Sequence, residues 1–315
     1  MFYKIFHLTK FEYSEPVTES VMEVRMSPRT DKLQNCLQFA LDLKPSAKCA
    51  VFQDFYENYI HFFDIPKKHT NLEIKAESVV EVFEPKKLPE TVGADAWNEI
   101  DKLTFHEDFW EFTQPSHFSK PTDALGSLIR EMDINRNEDA LSVLRKINSS
   151  LFEKFEYSQD ATEVDSPIDE AIKKRGGVCQ DFANIMISMA RELKIPCRYV
   201  SGYLFHRDDD RSHIAQDATH AWVEAFLPKF GWIGFDPTNN LICAERHIRV
   251  AVGRDYRDVP PTRGIFKGNA DSKLSVAVRV ATADQREIET KKETFSKPMI
   301  FQNAVQRQAE IQQQQ

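Results

Sequence analysis

Two features that direct a chain into a membrane or out of the cell are missing from this sequence. It has no run of about 18 apolar residues, the length of a membrane-spanning helix. Its opening stretch, MFYKIFHLTKFEY, lacks the apolar core of roughly 7–15 residues that a signal peptide requires. We therefore expect a cytoplasmic protein that does not bind membranes.

Cysteine is sparse, and its spacing argues against two common uses. The five cysteines are Cys36, Cys49, Cys179, Cys197 and Cys243. They form no C-x-x-C pair, and an odd, scattered set is typical of neither a disulfide framework nor a structural zinc site. We expect no metal and no cofactor.

Long blocks of lysine and arginine are absent as well. The net charge is −8, so a nucleic-acid partner is not expected. Apolar residues make up 41% of the chain and include 23 Phe, which is ample for packed cores. A chain of 315 residues is typical of about two domains.

The order of strand-like and helix-like segments predicts an α+β protein. Residues 1–84 contain several short β-rich segments separated by turn residues, a pattern that favours a β-sandwich. Residues 85–122 are punctuated by prolines and are interpreted as a connector. We assign residues 123–290 to a second domain of helices packed on an antiparallel sheet, because helical periods come first and strands follow. Residues 291–315 form a glutamine-rich tail.

One helix of the second domain has a recognisable start signal. Ser166 and Pro167 precede an apolar period, and Asp169 stands where it would close a capping box. We therefore predict a capped helix that begins at this serine.

The segment GGVCQD, residues 176–181, places a thiol directly before an apolar stripe of helical spacing. Cys179 is predicted to lie in the first turn of that helix, where unpaired N–H groups stabilise a thiolate and can hold an oxyanion. Gly176 and Gly177 permit a sharp turn and leave space for a substrate carbonyl. A buried structural cysteine is the competing interpretation, since Cys179 shares its stripe with apolar residues.

Two later strands supply the base and the acid that a thiol nucleophile needs. His220 opens the strand in ATHAWVEAFL, Asp236 closes the strand in WIGFDPT, and a short loop joins them. A turn centred on Pro228 would set the two residues opposite each other. A turn nearer Lys229 would shift the register but keep both side chains on one face. Alternatively, His220 is a hydrogen-bonded residue at a strand end and Asp236 is a turn residue before a proline.

The segment RGGVCQDFANIMISMARELKIPCRYVSGYL, followed by DATHAWVEAFLPKFGWIGFDPTNN, closely resembles the bacterial transglutaminase-like superfamily. FEYSEPVTESVMEVRMSPRT resembles the β-sandwich region that precedes this core in one bacterial subfamily, and HIRVAVGRDYRDVPPTRGIFKG matches its C-terminal part. The resemblance implies a papain-like, transglutaminase-like core with a triad at Cys179, His220 and Asp236. Asn184 departs from the subfamily, in which a histidine is frequent at that position.

The resemblance also implies a cysteine protease or amidase that acts on a protein or peptide substrate without a metal or cofactor. Water as the acceptor gives hydrolysis of a peptide or isopeptide bond, which we favour, and an amine gives acyl transfer as in transglutaminases. A non-catalytic peptide-binding module is the remaining alternative. The sequence leaves the oligomeric state open.

Five further residues are candidates for a substrate pocket: Gly177, Gln180, Asp181, Asp217 and Trp222. Asp181 is equally suited to the start of a helix, where an acid interacts favourably with the helix dipole. Trp222 is equally suited to packing between strands. The loop HRDDDRSH, residues 206–213, carries side chains that metals bind, but we interpret it as a solvated polar loop.

Overall fold

The computed structural model describes residues 1–93, 95–206 and 219–284 of the chain. The strands of these residues are β1 (Phe2–Val17), β2 (Glu19–Val24), β3 (Gln34–Lys44), β4 (Cys49–Gln53), β5 (Tyr59–Ile65), β6 (His69–Val82), β7 (Glu156–Tyr157), β8 (Gly176–Gly177), β9 (Cys197–Leu204), β10 (His220–Leu227), β11 (Gly231–Asp236), β12 (Leu241–Ile242), β13 (His247–Gly253), β14 (Thr262–Lys267) and β15 (Ser272–Thr282). The helices are α1 (Ala96–Leu103), α2 (Trp110–Thr113), α3 (Asp123–Glu131), α4 (Ala140–Lys154), α5 (Ile168–Lys174) and α6 (Cys179–Glu192). No helix in the described ranges has the length and apolar character needed to span a membrane.

The first six strands form most of the β-sandwich that the sequence predicted. One sheet has the order β15-β1-β6-β3 and the other has the order β14-β2-β5-β4. Buried and more exposed residues alternate along much of β1 and β6, because successive side chains point to opposite faces of a sheet. The space between the sheets is filled by Tyr13, Val17, Met22, Val24, Met26, Phe63, Ile65, Leu72, Ile74 and Ala76.

The last two described strands belong to this sandwich, which differs from the predicted boundary of the second domain at residue 290. β14 pairs with β2, and β15 pairs with β1 from Tyr3↔Thr282 to Tyr13↔Ser272. The segment KLSVAVRVAT lies in β15, but its alternating pattern fits any half-buried sheet and does not reveal its partner. The sandwich is therefore built from both ends of the described chain. The predicted tail, 291–315, lies outside the described residues.

The second domain is the predicted arrangement of helices on an antiparallel sheet. Its five strands have the order β12-β11-β10-β9-β13. Every residue of α6 from Gln180 to Arg191 is buried, so this helix lies inside the domain. α4 buries Leu141, Leu144, Ile147 and Leu151 in the same hydrophobic core.

The predicted capping box at the start of α5 is wrong. The hydroxyl of Ser166 donates to the carboxylate of Glu170 at 2.7 Å, and Asp169 accepts from the hydroxyl of Thr122 at 2.6 Å. Asp169 thus binds a residue of the connector, a tertiary partner that the local sequence does not contain.

Arg191 of α6 anchors the connector to the second domain. Its side chain is buried and donates to the backbone carbonyls of Phe112, Cys197 and Arg254 and to the hydroxyl of Ser119. The guanidinium thereby satisfies carbonyl groups from three separate segments.

A buried ion network joins the sandwich to the second domain. The carboxylate of Glu224 accepts from Arg198 Nε at 2.7 Å and from Arg249 Nη1 at 3.2 Å. Arg249 also contacts Asp31 in the segment before β3, and the side-chain amide of Gln34 donates to the Arg249 carbonyl at 2.8 Å. Because β10 carries Glu224, this network also stiffens the strand that begins at His220.

Candidate active site

Cys179 is the first residue of α6, which agrees with its predicted position in the first turn of this helix. Its side chain is half-buried. Val178 before it has an extended backbone, so the helix begins abruptly at the thiol. The Asp181 carboxylate accepts the Val178 N–H at 2.8 Å. A Cβ on Gly177 would lie 2.8 Å from the Cβ of Asp181, so glycine leaves the room that this acid needs.

Gln180 and Asp181 tie residues 158–166 to the start of α6. The hydroxyl of Thr162 donates to the Asp181 carboxylate at 2.6 Å, and the Gln180 amide donates to the Val164 carbonyl at 2.7 Å. Burial raises the pKa of Asp181, although its hydrogen bonds to Thr162 and to the backbone oppose that change. Both side chains are buried and engaged in holding the helix start.

His220 and Asp236 approach each other across the β10–β11 hairpin. The register pairs Leu227 with Gly231, so the turn centres on Lys229, whose φ is +69°, and not on the preceding proline. His220 and Asp236 are therefore diagonal neighbours on one face, which agrees with the second of the two predicted registers. Nε2 of His220 lies 2.8 Å from Oδ2 of Asp236.

The Asp236 carboxylate is fully buried and surrounded by donors. Oδ1 accepts the backbone N–H groups of Thr238 at 3.2 Å and Asn239 at 3.3 Å. Oδ2 accepts the side-chain amide of Asn239 at 2.8 Å, and Nε2 of both His220 and His247 lies within 3.2 Å of it. Hydrogen bonds of this kind stabilise the ionised form of a buried acid.

The electrostatic environment favours a charged pair. Burial alone would raise the pKa of Asp236, but the charges and hydrogen bonds of His220 and His247 hold it well below its usual range. Burial alone would lower the pKa of His220, but Asp236, together with Cys179, raises it to about 10. Both changes in pKa favour the charged form of the pair, an imidazolium beside a carboxylate.

The other ring nitrogen of His220 is the atom available to the thiol. Nδ1 is buried and has no hydrogen-bond partner among the described residues. Since Nε2 faces Asp236 and Cys179 contributes to the raised pKa of the same ring, we infer that Nδ1 faces Cys179. The structure thus pairs His220 with Asp236, and Cys179 contributes to the raised pKa of the same histidine.

His247 also belongs to this cluster, and the sequence analysis did not single it out. Its Nε2 lies 3.2 Å from Oδ2 of Asp236, and its Nδ1 accepts the backbone N–H of Ala244 at 3.4 Å. A sequence signal was available: His247 opens an apolar strand, HIRVAVG, in the same way that His220 opens HAWVEAFL.

The three side chains His220, Asp236 and His247 also have a spacing that could hold a metal ion, since their ligand atoms lie within 4.8 Å of one another. In this structure the two imidazole contacts are hydrogen bonds to the Asp236 carboxylate. Hydrogen bonding to the Asp236 carboxylate accounts for the arrangement of the two imidazoles.

Of the two remaining predicted pocket residues, Trp222 is buried and Asp217 lies outside the described residues. Trp222 is 1% exposed and packs against the rings of His220 and His247, with centroids 5.9 and 5.2 Å away. Asn184 is also buried. Asp217 lies outside the described residues, as does the loop HRDDDRSH beyond His206.

A cavity of about 560 Å³ lies beside α6, with Phe182 of that helix in its lining. Tyr157, Phe182 and Thr238 are among the residues that line it. Tyr157 pairs with Gly177, and burial, followed by the charge of Cys179, raises its pKa to about 12. The cavity is therefore lined by a residue that pairs with the strand before Cys179, and by Thr238 of the segment after Asp236.

Comparisons with known proteins give two family matches. Residues 3–81 match the family model of the bacterial transglutaminase-like N-terminal region, and residues 127–237 match that of the transglutaminase-like superfamily. The second match contains Cys179, His220 and Asp236.

Individual relatives cover the chain to different extents. An uncharacterised protein of Mycobacterium leprae is 30% identical over 278 residues, which are 88% of this chain and 97% of the relative. A protein-glutamine gamma-glutamyltransferase of Pseudomonas aeruginosa is 28% identical over 127 residues, which are 39% of this chain and 19% of the relative.

A solved structure, that of a candidate cysteine protease from Cytophaga hutchinsonii, superposes with a TM-score of 0.71 at 22% identity and covers 90% of this chain and 91% of that one. The likeness shows a shared fold of N-terminal antiparallel sheets and a papain-like core. The two family matches and the Mycobacterium leprae relative, which aligns over most of both chains, show that the chain belongs to the transglutaminase-like superfamily.

Proposed function

We propose that the protein is a cysteine-dependent amide-bond enzyme that hydrolyses a peptide or isopeptide bond. The observation that supports this most strongly is the 2.8 Å contact between His220 Nε2 and the buried Asp236, which leaves His220 Nδ1 to Cys179. A nucleophile, a base and a group that orients the base are the parts that covalent amide cleavage requires. The proposed chemistry uses these side chains and no cofactor.

In the proposed first half-reaction, the Cys179 thiol passes its proton to His220 Nδ1, and the resulting thiolate attacks the carbonyl carbon of the scissile amide. The carbonyl π electrons move to oxygen, and the first N–H groups of α6, which have no acceptor within the helix, can stabilise that oxyanion. His220 Nδ1 then donates its proton to the leaving nitrogen, the C–N bond breaks and an amine departs. The product is a thioester on Cys179.

In the second half-reaction, His220 accepts a proton from water at Nδ1, and the resulting hydroxyl oxygen attacks the thioester carbonyl. The C–S bond breaks, the acid is released and Cys179 returns to its starting state. Asp236 accepts the Nε2–H of His220 throughout, which keeps the ring orientation and stabilises the imidazolium.

A protein or peptide is the substrate that the cavity beside Tyr157 suits. Its lining combines Phe152 and Phe155 with the charged side chains of Lys154, Glu156 and Arg175. Binding sites commonly pair aromatic walls with a few polar groups that fix orientation. We propose that a substrate side chain enters here while its carbonyl group lies at Cys179.

Alkylation by iodoacetamide at neutral pH tests the activation of the thiol. We expect Cys179 to react at least about tenfold faster than Cys49, although Cys49 is the more exposed of the two, because His220 can accept the Cys179 proton. Peptide mass mapping over time gives both rates in one sample. Equal rates would contradict the enzymatic proposal and favour a non-catalytic binding module.

Acyl transfer is the second candidate, and the similarity to the Pseudomonas aeruginosa gamma-glutamyltransferase favours keeping it. The triad serves both outcomes, since an amine replaces water in the second half-reaction. A panel of γ-glutamyl and peptide amides, assayed with and without a primary amine, separates them. Free acid as the dominant product with amine present supports hydrolysis, and the amine conjugate supports transfer.

A further inference from the structure

We propose that His247 is a positioning residue for Asp236, and that it acts as a neutral imidazole donating its Nε2–H to the oxygen that also holds His220. This inference deepens the proposed function and rests on it. It assigns a role to a histidine that lies outside the Cys-His-Asp triad.

The tautomer of His247 follows from its two partners. The backbone N–H of Ala244 can only donate, so Nδ1 of His247, 3.4 Å away, must be its acceptor. A neutral imidazole that accepts at Nδ1 carries its proton on Nε2. That proton points to Oδ2 of Asp236, 3.2 Å away. Protonation of the ring would remove the acceptor and break the contact with Ala244.

The surroundings of the ring also favour the neutral form. Burial lowers the pKa of His247, Asp236 opposes this, and the charges of His220 and Arg246 lower it further, with a net decrease. The groups facing the ring thus include one acid, which His220 already neutralises. A neutral His247 can orient Asp236 without competing with His220 as a second cation.

The ring is held rigidly enough to orient another group. The side chain of His247 is 4% exposed, and its strand pairs with β9 through Leu204. The indole of Trp222 meets the ring edge-on, at 5.2 Å and 72°. These contacts fix the position of Nε2 relative to the sheet.

Apart from His220, the donors on Asp236 divide into two groups. Thr238 and Asn239 lie directly after Asp236 in the chain and hold it locally. His247 instead approaches from β13, on a different part of the sheet, so it ties Oδ2 to the rest of the domain. Without that tie, Oδ2 can move with its own loop and away from His220 Nε2.

A matched pair of variants tests the proposal. His247→Gln keeps an N–H donor of similar reach. His247→Met has a side chain of about the same length as glutamine but carries no donor. We expect His247→Met to slow alkylation of Cys179 by about tenfold, as for other residues that orient a functional group through a hydrogen bond. His247→Gln is expected to stay within about threefold of the wild type. With an amide substrate, the loss in His247→Met should fall on kcat and leave KM unchanged.

His7→Met is the control for loss of a buried histidine. His7 is 1% exposed and bonds the Tyr203 hydroxyl at 2.9 Å, away from the cluster. The His7→Met variant should have a lower melting temperature and an unaltered rate of Cys179 alkylation. If His247→Met does not fold, His247→Asn replaces it, because the shorter amide does not reach Asp236, and the same slow alkylation is expected.

The outcomes separate this inference from the proposed function. The inference is overturned if Cys179 of a folded His247→Met variant is alkylated at the wild-type rate. It is also overturned if Cys179 is alkylated as slowly in His247→Gln as in His247→Met. If wild-type Cys179 is itself no more reactive than Cys49, the proposed function fails before His247 is tested.

Discussion

Replacement of Asp236 by asparagine is expected to lower kcat for amide cleavage by about 10³–10⁴-fold, in line with the same change in other triads. The asparagine can keep the backbone bonds to Thr238 and Asn239 through its carbonyl oxygen. Its NH₂ group then replaces Oδ2 and cannot accept the Nε2–H of His220. The ring is driven to the tautomer with its proton on Nδ1, which cannot take a proton from Cys179. Steady-state kinetics on a peptide that the wild type cleaves measures the loss.

Asp139→Asn is the control for this prediction. Asp139 caps α4 through the N–H groups of Leu141 and Ser142, and asparagine is an equally good cap, so activity and stability should stay close to the wild type. An Asp236→Asn variant that is folded and retains more than about a tenth of wild-type kcat would show that Asp236 does not orient His220.

Replacement of Glu224 by alanine is expected to lower the free energy of unfolding by about 3–5 kcal/mol, because it leaves the buried Arg249 and the half-buried Arg198 without their shared carboxylate. Arg198 and Arg249 both donate to this acid, which is 3% exposed. Burial alone would raise the pKa of Glu224, but the charges of the two arginines lower it, so the group is ionised when the network forms. Urea unfolding followed by circular dichroism gives the change.

Glu73→Ala is the matched comparison on the surface. Glu73 and Lys10 form a 2.8 Å ion pair between β6 and β1, but both side chains are solvent-accessible, and such pairs contribute little. Equal losses in Glu73→Ala and Glu224→Ala would contradict the view that the buried network holds the sandwich against the second domain.

The cluster around Asp236 was partly accessible to sequence reasoning because side chains in strands alternate between faces. His220 and Asp236 keep the same parity whatever the turn, so their common face could be predicted. The register could not, since it depends on which residues adopt positive φ, and the turn uses Lys229 and Gly231.

Tertiary partners account for the other differences. Nothing local marks β15 as a partner of β1, because an alternating strand pairs equally well with many edges. Asp169 has the spacing of a capping residue, but Thr122, distant in the chain, takes its carboxylate. His247 reaches Asp236 only because β13 is added to the far edge of the sheet.

The central claim is that the sulfur of Cys179 forms the covalent intermediate. Acid quenching during the first turnover of a peptide amide, followed by mass spectrometry, tests it directly. The account predicts an acyl group on the peptide that contains Cys179, released by hydroxylamine, and no cleavage by Cys179→Ala. Cleavage at the wild-type rate by Cys179→Ala, with no acyl group on the wild-type protein, would contradict it.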